Sequence, residues 1–184
     1  RNIIFYMKFL IIVFFIKIFF SFSILLAEKI NKIEISGNNK ISDETILVYG
    51  EVDQNTVFTE KELNKVLRKL YETELFENVN VRIDNSILKI NVSEYQSISS
   101  LKFNGEKSNR FLTELKKIIK LKEKKSFIKS HLSNDIETIK NFYSSLGFNS
   151  VKVDTKIEEL NDNQINLLID INKGNKTKIS SIKF

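Results

Sequence analysis

One six-residue string recurs along this 184-residue chain and limits how it can fold. Ile98-Ser99-Ser100-Leu101-Lys102-Phe103 and Ile179-Ser180-Ser181-Ile182-Lys183-Phe184 differ at one place, and Ile30-Asn31-Lys32-Ile33-Glu34-Ile35 keeps their apolar spacing. The copies start 68 and then 81 residues apart. Ser36-Gly37-Asn38 follows the first, Asn104-Gly105 follows the second, and the sequence stops after the third. At this period each copy must close its own small core, with help from its neighbours. We expect a leader with upstream residues over 1–27, a first module over 28–95, a second over 96–174, and the opening strand of a third over 175–184.

The copies share an internal order. In the first, Ile33 and Ile35 alternate with polar residues as a short strand does, and Gly37-Asn38 turns the chain. Ser42 is placed to cap a helix, with Asp43 and Glu44 at its positive end. Thr59 and Glu62 carry the spacing of a capping box before a second helix. Leu63, Val66, Leu67, Leu70 and Tyr71 then form one apolar stripe at helical spacing. After it the period drops to two: Val79, Val81 and Ile83, a turn at Asp84-Asn85-Ser86, then Leu88, Ile90 and Val92.

The second copy repeats this. Leu112, Leu115, Ile118 and Ile119 mark one helix; Leu132, Ile136, Ile139, Tyr143 and Leu146 mark the next, with Gly147 as a left-handed cap. Val151, Val153 and Ile157 alternate, Asn161-Asp162-Asn163 turns, and Ile165, Leu167, Ile169 and Ile171 return. Tyr71 to Phe76 and Tyr143 to Phe148 lie 72 residues apart, helix end for helix end. The predicted fold is α+β: tandem β-α-α-β-β modules, each a three-stranded mixed sheet with two helices on one face.

Ahead of the modules, Met7-Lys8 opens an apolar run from Phe9 to Leu26, broken only by Lys17 and two serines and stopping at Ala27. A positive start, an apolar middle and a small residue at the end describe an export signal cut after Ala27. The alternative is an uncleaved anchor, and Lys17 counts against it, since a central lysine costs about 2.5–3.5 kcal/mol on insertion scales. The chain has no Cys, which excludes a disulfide framework and thiolate metal sites. Its formal net charge is +6, but Arg1, Lys8 and Lys17 precede Glu28 and no acid does. The remainder sets 26 basic residues against 23 acidic ones, too mild a balance for a dedicated nucleic-acid binder.

Three stretches carry a family resemblance. Ile33-Glu34-Ile35-Ser36-Gly37-Asn38-Asn39-Lys40-Ile41-Ser42-Asp43-Glu44-Thr45-Ile46, Leu67-Arg68-Lys69-Leu70-Tyr71-Glu72-Thr73-Glu74-Leu75-Phe76-Glu77-Asn78-Val79 and Phe142-Tyr143-Ser144-Ser145-Leu146-Gly147-Phe148 resemble POTRA (polypeptide-transport-associated) domains. The likeness runs over 29–184. It departs at Glu74, where the family favours Gly, at Asn149, where an aromatic is common, and in the absence of a membrane β-barrel. The resemblance implies a fragment of a longer protein at the periplasmic face of the outer membrane. It implies a scaffold, not an enzyme: no cofactor, no nucleic acid, and as partners unfolded outer-membrane β-barrel precursors, accessory assembly lipoproteins, and the outer membrane through a missing C-terminal barrel. The same modules would serve a translocation or two-partner secretion transporter, or an anchored division protein.

The resemblance also places the strand after the second helix at a sheet edge, where an extended peptide can add as a further strand. In this chain those strands contain Val79, Asn80, Val81, Arg82 and Ile83, and Val151, Lys152 and Val153. Lys116, Lys117, Lys120, Lys122, Lys124, Lys125 and Lys129 form the densest charge cluster, either a solvated face or a contact for anionic head groups or an acidic partner, with Lys116, Lys117, Lys120, Lys124 and Lys125 as the candidate contacts. His131 is the one histidine, and without a second His or any Cys it makes a poor metal site or catalytic base. No glycine-rich phosphate loop is present. An exported hydrolase or metalloenzyme would have to rest on His131 and scattered carboxylates.

Overall fold

The structure, a computed structural model, describes residues 28–53 and 57–178. The predicted export signal lies outside the described residues, as do residues 179–184 of the predicted third opening strand, while 175–178 are described and form no strand. Among the described residues no helix is long and apolar enough to cross a membrane.

The first module runs β1 (Glu28–Lys29), β2 (Lys32–Ser36), α1 (Asp43–Tyr49), β3 (Val57–Phe58), α2 (Glu60–Glu72), β4 (Phe76–Asp84) and β5 (Ile87–Glu94). The second runs β6 (Ser97–Asn104), α3 (Asn109–Ile118), α4 (Lys129–Ser145), β7 (Lys152–Leu160) and β8 (Gln164–Asn172). The sheets have strand orders β2-β5-β4 and β6-β8-β7. In each, the last strand is central, parallel to the first and antiparallel to the middle one. This is the predicted β-α-α-β-β module, with one addition: β1 and β3 pair antiparallel.

Local chemistry starts the helices where it should. Ser42 Oγ accepts from the Thr45 amide at 3.3 Å, Thr59 Oγ1 from Glu62 at 3.4 Å, and Ser108 Oγ from Phe111 at 3.4 Å, so each serves a donor that the helix leaves unpaired. Asn85 and Ser86 both have positive φ, 50° and 62°, as a two-residue type I′ hairpin turn requires. The central strands bury every second side chain: Leu88, Ile90 and Val92 in β5, and Ile165, Leu167, Ile169 and Ile171 in β8. Val66 and Leu70 of α2 and Leu132, Ile139 and Tyr143 of α4 pack against them. Each such aliphatic side chain contributes roughly 1.5–3 kcal/mol by leaving water.

Three predicted core positions behave differently. Tyr71 is 41% exposed, because its ring turns toward the edge of β4. Ile118 is 40% exposed while Ile119 is buried, since neighbours in sequence cannot share one face. Ile157 is 46% exposed: burial declines along β7 from Val153 through Thr155 as the strand leaves the helix layer. Val151, expected within the strand, lies just before β7, which starts at Lys152, and still packs against the core.

The modules are joined by Tyr95 and Gln96 alone. The Tyr95 amide donates to the Leu75 carbonyl of the first module at 3.0 Å, and the Gln96 carbonyl accepts from Phe127 of the second at 2.7 Å. Asn163, in the turn between β7 and β8, donates its side-chain amide to the Glu94 and Tyr95 carbonyls at 3.4 and 3.3 Å.

Glu74 follows α2 with φ 56°, the left-handed conformation that Gly147 adopts after α4 at φ 90°. A side chain there costs roughly 1–2 kcal/mol, partly offset because glycine gains more freedom when unfolded. Glu74→Gly should therefore raise the first module's stability by up to about 1 kcal/mol, read as a higher urea midpoint with an unchanged slope. A lower midpoint would show that the carboxylate matters more than the backbone strain.

Candidate functional site

Each sheet has two edges, and they are not equally open. At the β6 edge the loop before α4 closes the start of the strand: Ile98 N donates to Lys125 O at 2.9 Å and Lys124 N to Ile98 O at 2.7 Å. In the first module, β1 and β3 form a separate two-stranded sheet, with β1 just ahead of β2 in the chain. The opposite edges, β4 and β7, pair only with their central strands.

Register shows which main-chain groups face outward. Asp84 and Ile87 flank the two-residue turn, and such flanking residues exchange hydrogen bonds. Alternation then turns the N–H groups of Asp84, Arg82 and Asn80 toward β5, and those of Ile83, Val81 and Val79 outward. An independent contact agrees: the Val79 amide donates to the Tyr71 hydroxyl at 3.1 Å, and that hydroxyl donates to Asn78 Oδ1 at 3.3 Å. Tyr71 thus occupies the first outward amide of β4. A β-bulge between Phe76 and Asn78 disrupts the same stretch.

β7 is the cleaner edge. It pairs with β8 through nine consecutive residues without a shift in register. In a strand of L-residues the side-chain face and the N–H direction are locked together. Val153, core-facing like Val79 and Val81, therefore also points its N–H outward, and Lys152 points inward. Tyr143, the counterpart of Tyr71, lies in the core and donates to Glu106 at 2.6 Å, so the tyrosine cap is not repeated here. Ile157 and Leu160 are exposed along this edge and offer apolar footholds.

The predicted lysine cluster divides. Lys116 and Lys117 sit in the last turn of α3, with Lys117 3.0 Å from Glu114. Lys120, Lys124 and Lys125 instead line a cleft between the modules, together with Lys122 and with Lys40 of the first module. Nothing local in the sequence links Lys40 to the cluster, because only the docking of the modules brings them together. His131 lines the same cleft, with Nε2 3.5 Å from Glu74 Oε1.

A POTRA family model, described as "Surface antigen variable number repeat", matches residues 28–95 and again 96–174. The outer membrane protein assembly factor BamA of Neorickettsia risticii is 25% identical over 162 residues, 86% of this chain and 21% of that protein. BamA of Neisseria meningitidis serogroup B is 24% identical over 157 residues, 84% of this chain and 20% of that protein. The chain therefore spans about a fifth of the length of these curated relatives. Among solved structures, the N-terminal domain of Omp85 from Thermosynechococcus elongatus aligns with TM-score 0.47 at 16% identity, covering 76% of this chain and 61% of that one.

Proposed function

The chain belongs to the POTRA family, and from that premise we propose that it is the periplasmic arm of an outer-membrane β-barrel assembly protein. It binds unfolded barrel precursors by strand addition, docks accessory lipoproteins, and works by binding, not catalysis. The observation that carries this reading is the outer edge of β7, nine residues long and paired on one side only. Main-chain hydrogen bonds from such an edge accept many sequences, which suits a receptor for many unfolded clients. The lysines along it, Lys152 and Lys156, keep a free edge from pairing with its own copies. The similarity to assembly factors and the leader-like 1–27 stretch support the location.

Proline tests the mechanism, because it cannot donate a backbone hydrogen bond. Val153→Pro removes an outward N–H and should leave the module folded by circular dichroism. Affinity for unfolded barrel-derived peptides should fall by about tenfold, or 1.4 kcal/mol, in an NMR titration. Val81→Pro should have a smaller effect, since Tyr71 and the bulge already shorten the β4 edge. Arg82→Pro and Lys152→Pro, whose N–H groups face the central strands, should instead destabilise their modules. Folded Val153→Pro and Val81→Pro variants that bind peptide like the parent would exclude strand addition at these edges.

A further inference from the structure

The cleft between the modules has a volume of about 500 Å³ and is lined by Lys40, Lys120, Lys122, Lys124 and Lys125. Among the described residues none of these five lysines forms an ion pair. The carboxylates nearby are engaged elsewhere. Glu94 accepts from the amides of Asn39, Lys40 and Ile41 at 2.7–3.1 Å, and Glu74 faces His131. Lys122 Nζ donates to the Lys116 carbonyl and Lys40 Nζ to Ser97 Oγ at 3.4 Å, so their charges are placed but not neutralised.

The loop that carries four of the five is held firmly. Asp135, 2% exposed, accepts from the amides of Lys120 and Leu121 at 2.7 and 2.8 Å. Glu123 accepts from Leu101 N at 2.9 Å, and Lys124 and Lys125 are tied to Ile98 through their main chains. Like charges held together on a fixed frame repel one another, and in a concave surface the repulsion is poorly screened. An anion from outside relieves it.

The residue types narrow the ligand. The five cations are all lysines, and no arginine lines the cleft, so it offers compact point charges and no planar fork. Ammonium groups carried by lining residues of both modules can serve phosphate oxygens as point charges. Glu74 and Glu94 are the carboxylates that line the cleft, against five lysines, so its lining carries net positive charge and favours an anion. We propose that this cleft binds a ligand carrying two phosphate groups, and that the ligand, held by Lys40 on one module and Lys120, Lys124 and Lys125 on the other, sets the angle between them. The site is independent of strand addition at β4 and β7.

Calorimetric titration of the full chain with inorganic pyrophosphate at low ionic strength tests the proposal. Lys124→Gln/Lys125→Gln should weaken binding by about tenfold or more, and Lys40→Gln should weaken it from the other module. Lys116→Gln/Lys117→Gln, outside the cleft, should leave it unchanged. Fluorescence energy transfer between dyes on the two modules should narrow in distribution when pyrophosphate is added to the parent, and not in Lys40→Gln. Flotation with vesicles containing cardiolipin, against phosphatidylcholine alone, separates the sources. Lysine-dependent binding to cardiolipin vesicles identifies a lipid head group, and binding of pyrophosphate without vesicle binding identifies a soluble diphosphate. Either outcome supports the site. Equal losses in cleft and control variants, an unaffected Lys40→Gln, or tighter binding of an oligo-glutamate peptide than of pyrophosphate would overturn it.

Discussion

Gly105→Ala should unfold the second module and leave the first folded. Gly105 follows β6 with φ 80°, and a Cβ on it would stand 2.0 Å from the Ile171 carbonyl oxygen of the central strand β8. The atom in the way is main chain and cannot swing aside as a side chain would. Either β6 separates from β8 or the turn changes shape, and both break the parallel ladder between Ser97 and Asn104. The left-handed φ adds roughly 1–2 kcal/mol and the overpacking roughly 1–3 kcal/mol or more. Together these reach about 2–5 kcal/mol or more, enough to unfold a module whose stability lies toward the low end of about 4–12 kcal/mol. In a two-dimensional NMR spectrum, dispersed signals from 97–172 should collapse while those from 32–94 persist. Gly37→Ala should do the reverse, since its Cβ would meet the Val92 carbonyl oxygen at 2.1 Å. Two intact modules in the Gly105→Ala spectrum would show that the turn can yield.

Glu106→Ala should be the costliest polar change in the second module. The Glu106 side chain is 1% exposed and holds three donors: the Tyr143 hydroxyl at 2.6 Å, the Ser108 amide at 2.7 Å and the Lys173 ammonium at 3.2 Å. Burial, the largest single influence, pushes its pKa up. The hydrogen bonds from Tyr143, Ser108 and Lys173, with the Lys173 charge, outweigh burial and hold the carboxyl below its usual range. Burial and the neighbouring Glu106 carboxylate push the Tyr143 hydroxyl up, so it stays protonated as the donor. Removing the carboxylate leaves that hydroxyl buried without its acceptor, and we expect a loss of about 3 kcal/mol in urea unfolding at neutral pH.

The pH dependence has a definite sign. A depressed folded pKa means that the carboxylate's contribution is complete above the unfolded value, near 4.3, and is lost as pH falls through the lower folded value. The gap between parent and Glu106→Ala should therefore narrow below about pH 4. A gap that stays constant down to pH 2 would mean that the ionised carboxylate is not what holds the module. Tyr143→Phe, which removes the donor but keeps the ring, should recover part of the loss in the Glu106→Ala background.

The contrast between Tyr143 and Tyr71 separates what is legible in the sequence from what is not. The 72-residue offset between helix ends made them equivalents, each near the end of the apolar stripe of its helix. In the second module Tyr143 turns inward, edge-on to Phe111, Phe142 and Phe148, because a buried carboxylate at Glu106 accepts its hydroxyl. The first module has Asn38 at the corresponding place, and its amide serves Ile41 O and Asp43 locally. Tyr71 turns outward and covers the Val79 amide instead.

Periodicity, caps and turns could be read directly because each depends on a few neighbouring residues: Ser42 and Thr59 at their helix starts, the alternation in β5 and β8, the left-handed position at Gly147. From these the three-stranded modules followed, and the family resemblance put β4 and β7 at sheet edges. The direction of each outward amide, the shift of Tyr71 to the edge and the meeting of Lys40 with Lys120, Lys124 and Lys125 were not legible. They depend on hairpin register, on which side chain finds a buried partner, and on a two-residue linker pinned from both sides. Those are long-range conditions, satisfied only once both cores have closed.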